Sequence, residues 1–268
     1  MRNRVIVLVS IACLGLTGFG LIKWDGIKQH KKYAAHNSCS SKEIEPIYRL
    51  EKLNYSDFFY DVGPRFGRTI SKKALQTVST LQDLMGNEVL DNKNKLELLS
   101  VIKVIGDRQS KIREEGQSTA LTAKQIQLLK TFTYGSSFVL QAKYTQQNSE
   151  SEIMETNTYT PHFTVVPEQP ALYPQGKEHF LTYFKKHNKI NTFNLDEKQL
   201  RPAKLYFIID QTGRITNIRL DRSCGFKHID EAMIKLLAEQ PHKWIPSKNA
   251  LGETIEEELV LSFGLVGC

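Results

Sequence analysis

Leu205-Tyr-Phe-Ile-Ile-Asp-Gln-Thr-Gly213-Arg-Ile-Thr-Asn-Ile-Arg-Leu220 is the stretch on which the fold turns. Leu205 to Ile209 is a short apolar run of strand length, and Asp210-Gln-Thr-Gly213 carries turn chemistry, its glycine being free to take a positive φ. Thr216, Ile218 and Leu220 then share one face of a returning strand. Downstream, Ile229, Ala232, Met233, Leu236 and Leu237 fall at i, i+3, i+4, i+7 and i+8, the strongest helical period in the chain, and Pro241 closes that helix. Leu259, Leu261 and Phe263 alternate on a final strand. Upstream, Phe180, Leu181 and Phe184 lie on one side of a helix that starts near Gly176. The order helix, strand, turn, strand, helix, strand predicts an α+β unit over residues 167–268: a three-stranded antiparallel sheet with helices on one face.

A second α/β unit is expected before it, over residues 56–166. Phe58-Phe59-Tyr60 is strand-like and stops at Gly63-Pro64. Ala74, Val78, Leu81 and Met85 make one face of a helix behind a Ser71 cap. Leu96 to Ile105 reads as a buried strand, and Thr122-x-x-Gln125 as a capping box opening a helix with Ile126 and Leu129. Phe138, Leu140, Ala142 and Tyr144 alternate as a strand, and His162 to Val166 makes another, with Gln146 to Asn157 as an exposed loop between them. No chemistry is evident in this unit.

The chain has 268 residues and a net charge of +7. Residues 1–50 hold eight basic and three acidic residues, so most of the excess charge sits there. It flanks the uncharged run Val5–Ile22, which as a helix is roughly 27 Å long and can just span a bilayer core. An uncleaved anchor and a signal peptide cut near Gly18-Phe19-Gly20 both fit this run. The excess basic charge suits anionic headgroups. The folded part has no basic stripe interleaved with aromatics, which argues against nucleic acid. Lys23, Lys28, Lys31 and Lys32 outnumber Arg2 and Arg4, a count that favours the C-terminal side inside. A short N-terminal tail rarely translocates ahead of a large domain, so the bulk is expected outside the cytoplasm. Residues 23–55 read as a polar tether.

Six pieces in order and spacing carry a resemblance. They are Leu205–Asp210, Gly213–Leu220, Arg222-Ser-Cys-Gly225, Ile229–Ile234, Trp244-Ile-Pro246 with Gly252, and Leu259–Phe263. Together they resemble the TonB C-terminal domain, most clearly over residues 200–265, and Tyr173-Pro-Gln-Gly-Lys-Glu178 looks like the lead-in of energy-transducer TonB chains. The family-motif positions are Gly213, Ser223, Gly225, Asp230, Trp244 and Pro246. The resemblance implies a single-pass inner-membrane protein with its bulk in the periplasm. Such a protein binds periplasmic segments of TonB-dependent outer-membrane transporters and couples to ExbB and ExbD for proton-driven uptake. It also implies peptide addition to the last strand. The residues nominated as that receiving edge are Glu256, Glu257, Glu258, Leu259, Val260, Leu261, Ser262 and Phe263. The three glutamates equally suit charges that guard an edge, and Leu259, Leu261 and Phe263 suit a core.

Three features depart from the family pattern. The apolar run has Ser10 and no histidine, no Pro-rich spacer follows it, and Arg201-Pro202 stands where a Tyr-Pro element is usual. These departures leave an alternative: a membrane-tethered periplasmic scaffold or sensor that uses the domain for protein contacts without energy coupling. Cys224 and Cys268 either form a disulfide or remain thiols. The seven histidines show no metal-ligand spacing. No nucleophile or paired-carboxylate pattern emerges from Ser136 and Ser137, from Cys224 with His228, or from Asp210 with Glu231. The expectation is a binding protein, with no catalytic residues, metal or cofactor.

Overall fold

The computed structural model of the protein describes residues 58–86, 95–147, 153–189, 191–192, 195–196 and 198–266. The expected anchor and tether, Cys13, Cys39 and Cys268 lie outside the described residues, among which no helix is long and apolar enough to cross a membrane.

In chain order the elements are β1 (Phe59–Gly63), β2 (Arg68–Ser71), α1 (Lys72–Thr77), α2 (Leu81–Met85), β3 (Lys95–Ile105), β4 (Arg108–Gly116), α3 (Ala123–Lys130), β5 (Ser137–Gln147), β6 (Met154–Tyr159) and β7 (His162–Val166). There follow α4 (Lys177–His187), β8 (Pro202–Ile209), β9 (Ile215–Arg222), α5 (Lys227–Ala238), β10 (Ser247–Lys248), β11 (Thr254–Ile255) and β12 (Glu257–Gly264). The class is α+β.

Two larger sheets organise these elements. The first-half sheet runs β2-β7-β5-β3-β4, with β6 paired to β5; β2 and β7 are parallel and the other pairs antiparallel. One face of it carries Leu99, Val101, Phe138, Leu140 and Phe163, packed against Leu75, Leu81 and Leu129 of its short helices. The α3 capping box is present as expected, with Thr122 Oγ1 accepting from Gln125 N at 3.2 Å and Gln125 Oε1 accepting from Thr122 N at 2.8 Å. Three expectations change. The single helix of Ala74 to Met85 is two, because the chain straightens at Val78 (ψ 132°) and Thr80 starts a new capping box with Asp83. A fully capped start satisfies end N–H groups that a helix running through β-branched Thr77 and Val78 would not improve on. Ala74 is exposed and Leu75 faces the core. The expected loop Gln146–Asn157 is partly strand, since β6 pairs with β5 from Ala142 to Gln147.

The C-terminal sheet is antiparallel, with order β1-β12-β8-β9, and α4 and α5 supply the core on one face. Phe180, Phe184, Ile229, Met233 and Leu237 from the helices meet Leu205, Phe207, Leu259, Leu261 and Phe263 from the strands. The helix, strand and turn order read from the sequence holds here, but the expected three-stranded sheet has four strands because β1 joins β12, and β10 and β11 form a separate pair. On β9 the facing differs. Asn217 has φ 49° and the register slips between Tyr206 and Ile208, so Ile215 and Ile218 pack on the core while Thr216 and Leu220 are exposed. An inserted residue reverses the alternation on which the sequence reading relied.

The boundary expected after Val166 is crossed at the start of the chain. β1 lies in the first unit by sequence and in the C-terminal sheet by pairing, and Phe58, Tyr60 and Val62 are buried in the C-terminal core. The described residues, from Phe58 to Val266, all belong to one compact unit.

Candidate functional site

β12 was the expected docking strand, so its two sides decide what the sheet can bind. On one side it pairs with β8 from Glu257 to Gly264. On the other it pairs with β1, with Gly63 opposite Val260, Val62 opposite Leu261, Asp61 opposite Ser262, Tyr60 opposite Phe263 and Phe59 opposite Gly264. Asn188 Nδ2 donates to Tyr60 Oη at 3.0 Å inside the core, Phe58 stacks on Phe263 with ring centroids 6.4 Å apart, and Lys177 ion-pairs with Asp61 at 2.5 Å. Each buried side chain of this kind contributes roughly 1.5–3 kcal/mol. The nominated peptide-receiving edge is therefore corrected: Val260, Leu261, Ser262 and Phe263 lie in an interior strand because the chain's own β1 fills that border. Leu259, Leu261 and Phe263 are core residues.

The three glutamates separate. Glu256 is exposed just ahead of β12, and Glu258 ion-pairs with Arg219 at 3.0 Å, whose guanidinium lies 4.1 Å from the centroid of the Tyr206 ring. Glu257 is 6% exposed and its Oε2 accepts from Ala171 N at 2.6 Å. Burial pushes its carboxyl up to about 7, against the lowering effect of that hydrogen bond. Ala171 sits in an extended segment whose neighbours, Gln169 and Leu172, bond to Lys248 and Ile245. Glu257 thus ties the last strand to the chain entering the C-terminal half. A cleft of about 60 Å³ opens beside it, lined by Pro64, Tyr134, Thr164, Pro167 and the glutamates. That is room for a few water molecules.

The motif residues hold the fold. Gly213 has φ 79°, and a Cβ there would lie 2.0 Å from Trp244 O; its own carbonyl accepts from Trp244 N at 2.8 Å. Gly225 has φ 94°, and a Cβ would lie 2.1 Å from Gln199 O. Asp230, 4% exposed at the start of α5, accepts from Ser223 Oγ at 2.5 Å and from Cys224 N at 3.0 Å, and Ser223 Oγ accepts from Gly225 N at 3.0 Å. This knot fixes the exit of β9 onto α5. Trp244 packs on Tyr173, Phe180 and Phe207, and Pro246 lies between Ile245 and β10 in the strip that faces residues 169–172. Cys224 is a free, buried thiol pushed up to about 12, first by burial; Cys268, the partner of the alternative disulfide, lies outside the described residues.

Among the described residues no strand pairs with the outer side of β9, with the outer side of β1, or with Glu257–Leu259 on the side facing β1. The sequence reading missed β4 and the junction beneath it. Gly106 (φ 52°) and Asp107 (φ 61°) form the two-residue turn between β3 and β4. A glycine–aspartate pair bounded by strand-length runs was the available signal. Asp107 from that turn bonds Arg65 Nε at 3.0 Å and approaches Arg222 of the C-terminal sheet at 3.7 Å. Comparison with models of known families, with curated proteins and with solved structures gave no match.

Proposed function

We propose that this chain is a membrane-tethered envelope scaffold whose TonB C-terminal-like domain makes protein–protein contacts without energy coupling through β12. The observation that carries the reading is the double pairing of Val260–Gly264, which leaves no border there for a transporter segment. Gly213, Ser223, Gly225, Asp230 and Trp244 support kinship with that domain, because each meets a backbone or packing need of the fold. Kinship in fold does not carry the partner with it. The uncharged Val5–Ile22 run supports a tether in the inner membrane, and the short tail ahead of a large domain supports a bulk in the periplasm, against the count of positive flanks.

The test is photo-crosslinking in envelope membranes with probes at Thr216 and Leu220 on β9 and at Ser262 on β12. A scaffold gives partner crosslinks from β9, none from β12, and, with a further probe at Ser10 in the apolar run, none to ExbB. Crosslinks of Ser262 to a TonB-dependent transporter would overturn it.

The transducer reading, with ExbB and ExbD at the anchor and a transporter segment on β12, requires β1 to leave first. One observation favours it: β1 is the first described element after the apolar run, so a pull from the membrane reaches that five-residue strand before any other described element.

A further inference from the structure

We infer that an oxyanion of the phosphate class binds where the two sheets meet, held by Lys204 and Arg222 beside the Arg65–Asp107 pair. This inference does not depend on the function proposed above. Lys204 on β8 and Arg222 on β9 are direct cross-strand partners on the face turned away from α4 and α5. Like charges placed opposite one another destabilise a sheet unless something of opposite sign joins them. Arg65 brings a third cation from the link between β1 and β2.

One carboxylate serves this group directly. Asp107 is engaged by Arg65, with Nε at 3.0 Å, and its other oxygen is 3.7 Å from the Arg222 guanidinium, beyond good hydrogen-bond length. Asp221 lies near enough to favour the Lys204 ammonium electrostatically. Three cations against two carboxylates leave one positive charge over. Among the described residues Lys204 makes no hydrogen bond, and burial, followed by Arg222 and Arg65, holds its ammonium below the usual lysine range in spite of Asp107. Ser262 is the next residue across on β12 in the same row. An ordinary ion-pair network accounts for Arg65 and Asp107 and leaves Lys204 and half of Arg222 unanswered. An oxyanion answers both, because a guanidinium fork and an ammonium supply the donors that phosphate oxygens need. Arg222 is 44% exposed at its side chain, so the site is open to solvent.

Free phosphate and an anionic lipid headgroup share this chemistry. The test is thermal unfolding of the full chain in zwitterionic nanodiscs, titrated with inorganic phosphate against chloride at equal ionic strength, for wild type, Lys204→Gln and Arg222→Gln. Phosphate is expected to raise the wild-type Tm, with the dissociation constant about tenfold weaker in each variant. Nanodiscs containing phosphatidylglycerol separate the sources. A shift that appears without phosphate and is lost in both variants assigns the headgroup, and one that still needs phosphate assigns the free anion. Equal effects of phosphate and chloride on the wild type, or phosphate shifts unchanged in both variants, would overturn the site.

Discussion

Along β12 the C-terminal sheet is covered by β1, which buries Phe58, Tyr60 and Val62; along β9 it is left open, and the strand protects itself. β9 slips register twice against β8, carries Asn217 at φ 49°, and exposes Arg219, Asp221 and Arg222. Bulges and charges both discourage a flat incoming strand. Covering a border spends conformational freedom and gains apolar burial, whereas bulging it keeps the groups accessible and gains little stability. The β1–β12 seam is thus built for permanence, while among the described residues the outer sides of β9 and β1 remain within a partner's reach.

The largest expected effect breaks the covered side. Tyr60→Ala removes a buried ring and its bond to Asn188, and should lower stability by about 3–5 kcal/mol in denaturant unfolding. Under mild conditions it should also let β12 accept an extended peptide, read by fluorescence anisotropy. A loss below about 1 kcal/mol would mean that β1 is a loose cover.

On the β9 side, Asp230→Ala frees Ser223 and Cys224, and should cost about 1.5–3 kcal/mol. Hydrogen exchange should then speed up at residues 222–225 while the β1–β12 amides stay protected. Equal loosening of both borders would show that they are not independent.

Glu257, at the uncovered start of β12, has an effect of opposite sign. Its folded carboxyl is held above the ordinary 4.5, at about 7, so the folded chain keeps a proton that the unfolded chain has released. Stability contributed by that proton is full at low pH and falls as pH rises through about 7, by on the order of 3 kcal/mol in all. Glu257→Gln keeps an acceptor for Ala171 N and cannot ionise. Its Tm should exceed that of wild type above pH 7 and converge on it near pH 5; parallel pH profiles would remove the argument.

The smallest effect sharpens the comparison at the surface. Arg219 and Glu258 are both more than a third exposed, so a double-mutant cycle across that pair should give under about 1 kcal/mol.

Much of the C-terminal half was legible in the sequence, since its signals are local. Ile229 to Leu237 keeps a helical period because one face of α5 is buried, and Asp210 to Gly213 turns because Asp210 Oδ1 accepts from Thr212 N and Arg214 N while Gly213 takes a positive φ. The first half was harder. β4, Arg-Gln-Ser-Lys-Ile-Arg-Glu-Glu-Gly, is exposed along most of its length, and an exposed edge strand has no buried face to impose alternation. β2 is four residues long, too short for any period to register. The motif glycines and Asp230 could be recognised by spacing, yet their work as close approaches to Trp244 O and Gln199 O, and as a cap on Ser223 and Cys224, is invisible without coordinates.

The sequence by itself determined the two helices and three long strands of residues 177–263 and the apolar, basic-flanked start of the chain, because periodicity, capping and charge are properties of neighbouring residues. Only the tertiary structure decided which strand lies beside β12. Phe58-Phe59-Tyr60 reads as a strand, but its partner is some 200 residues away along the chain. No local preference encodes that pairing; it follows from burying Phe58, Tyr60 and Val62 against Phe263 and α4.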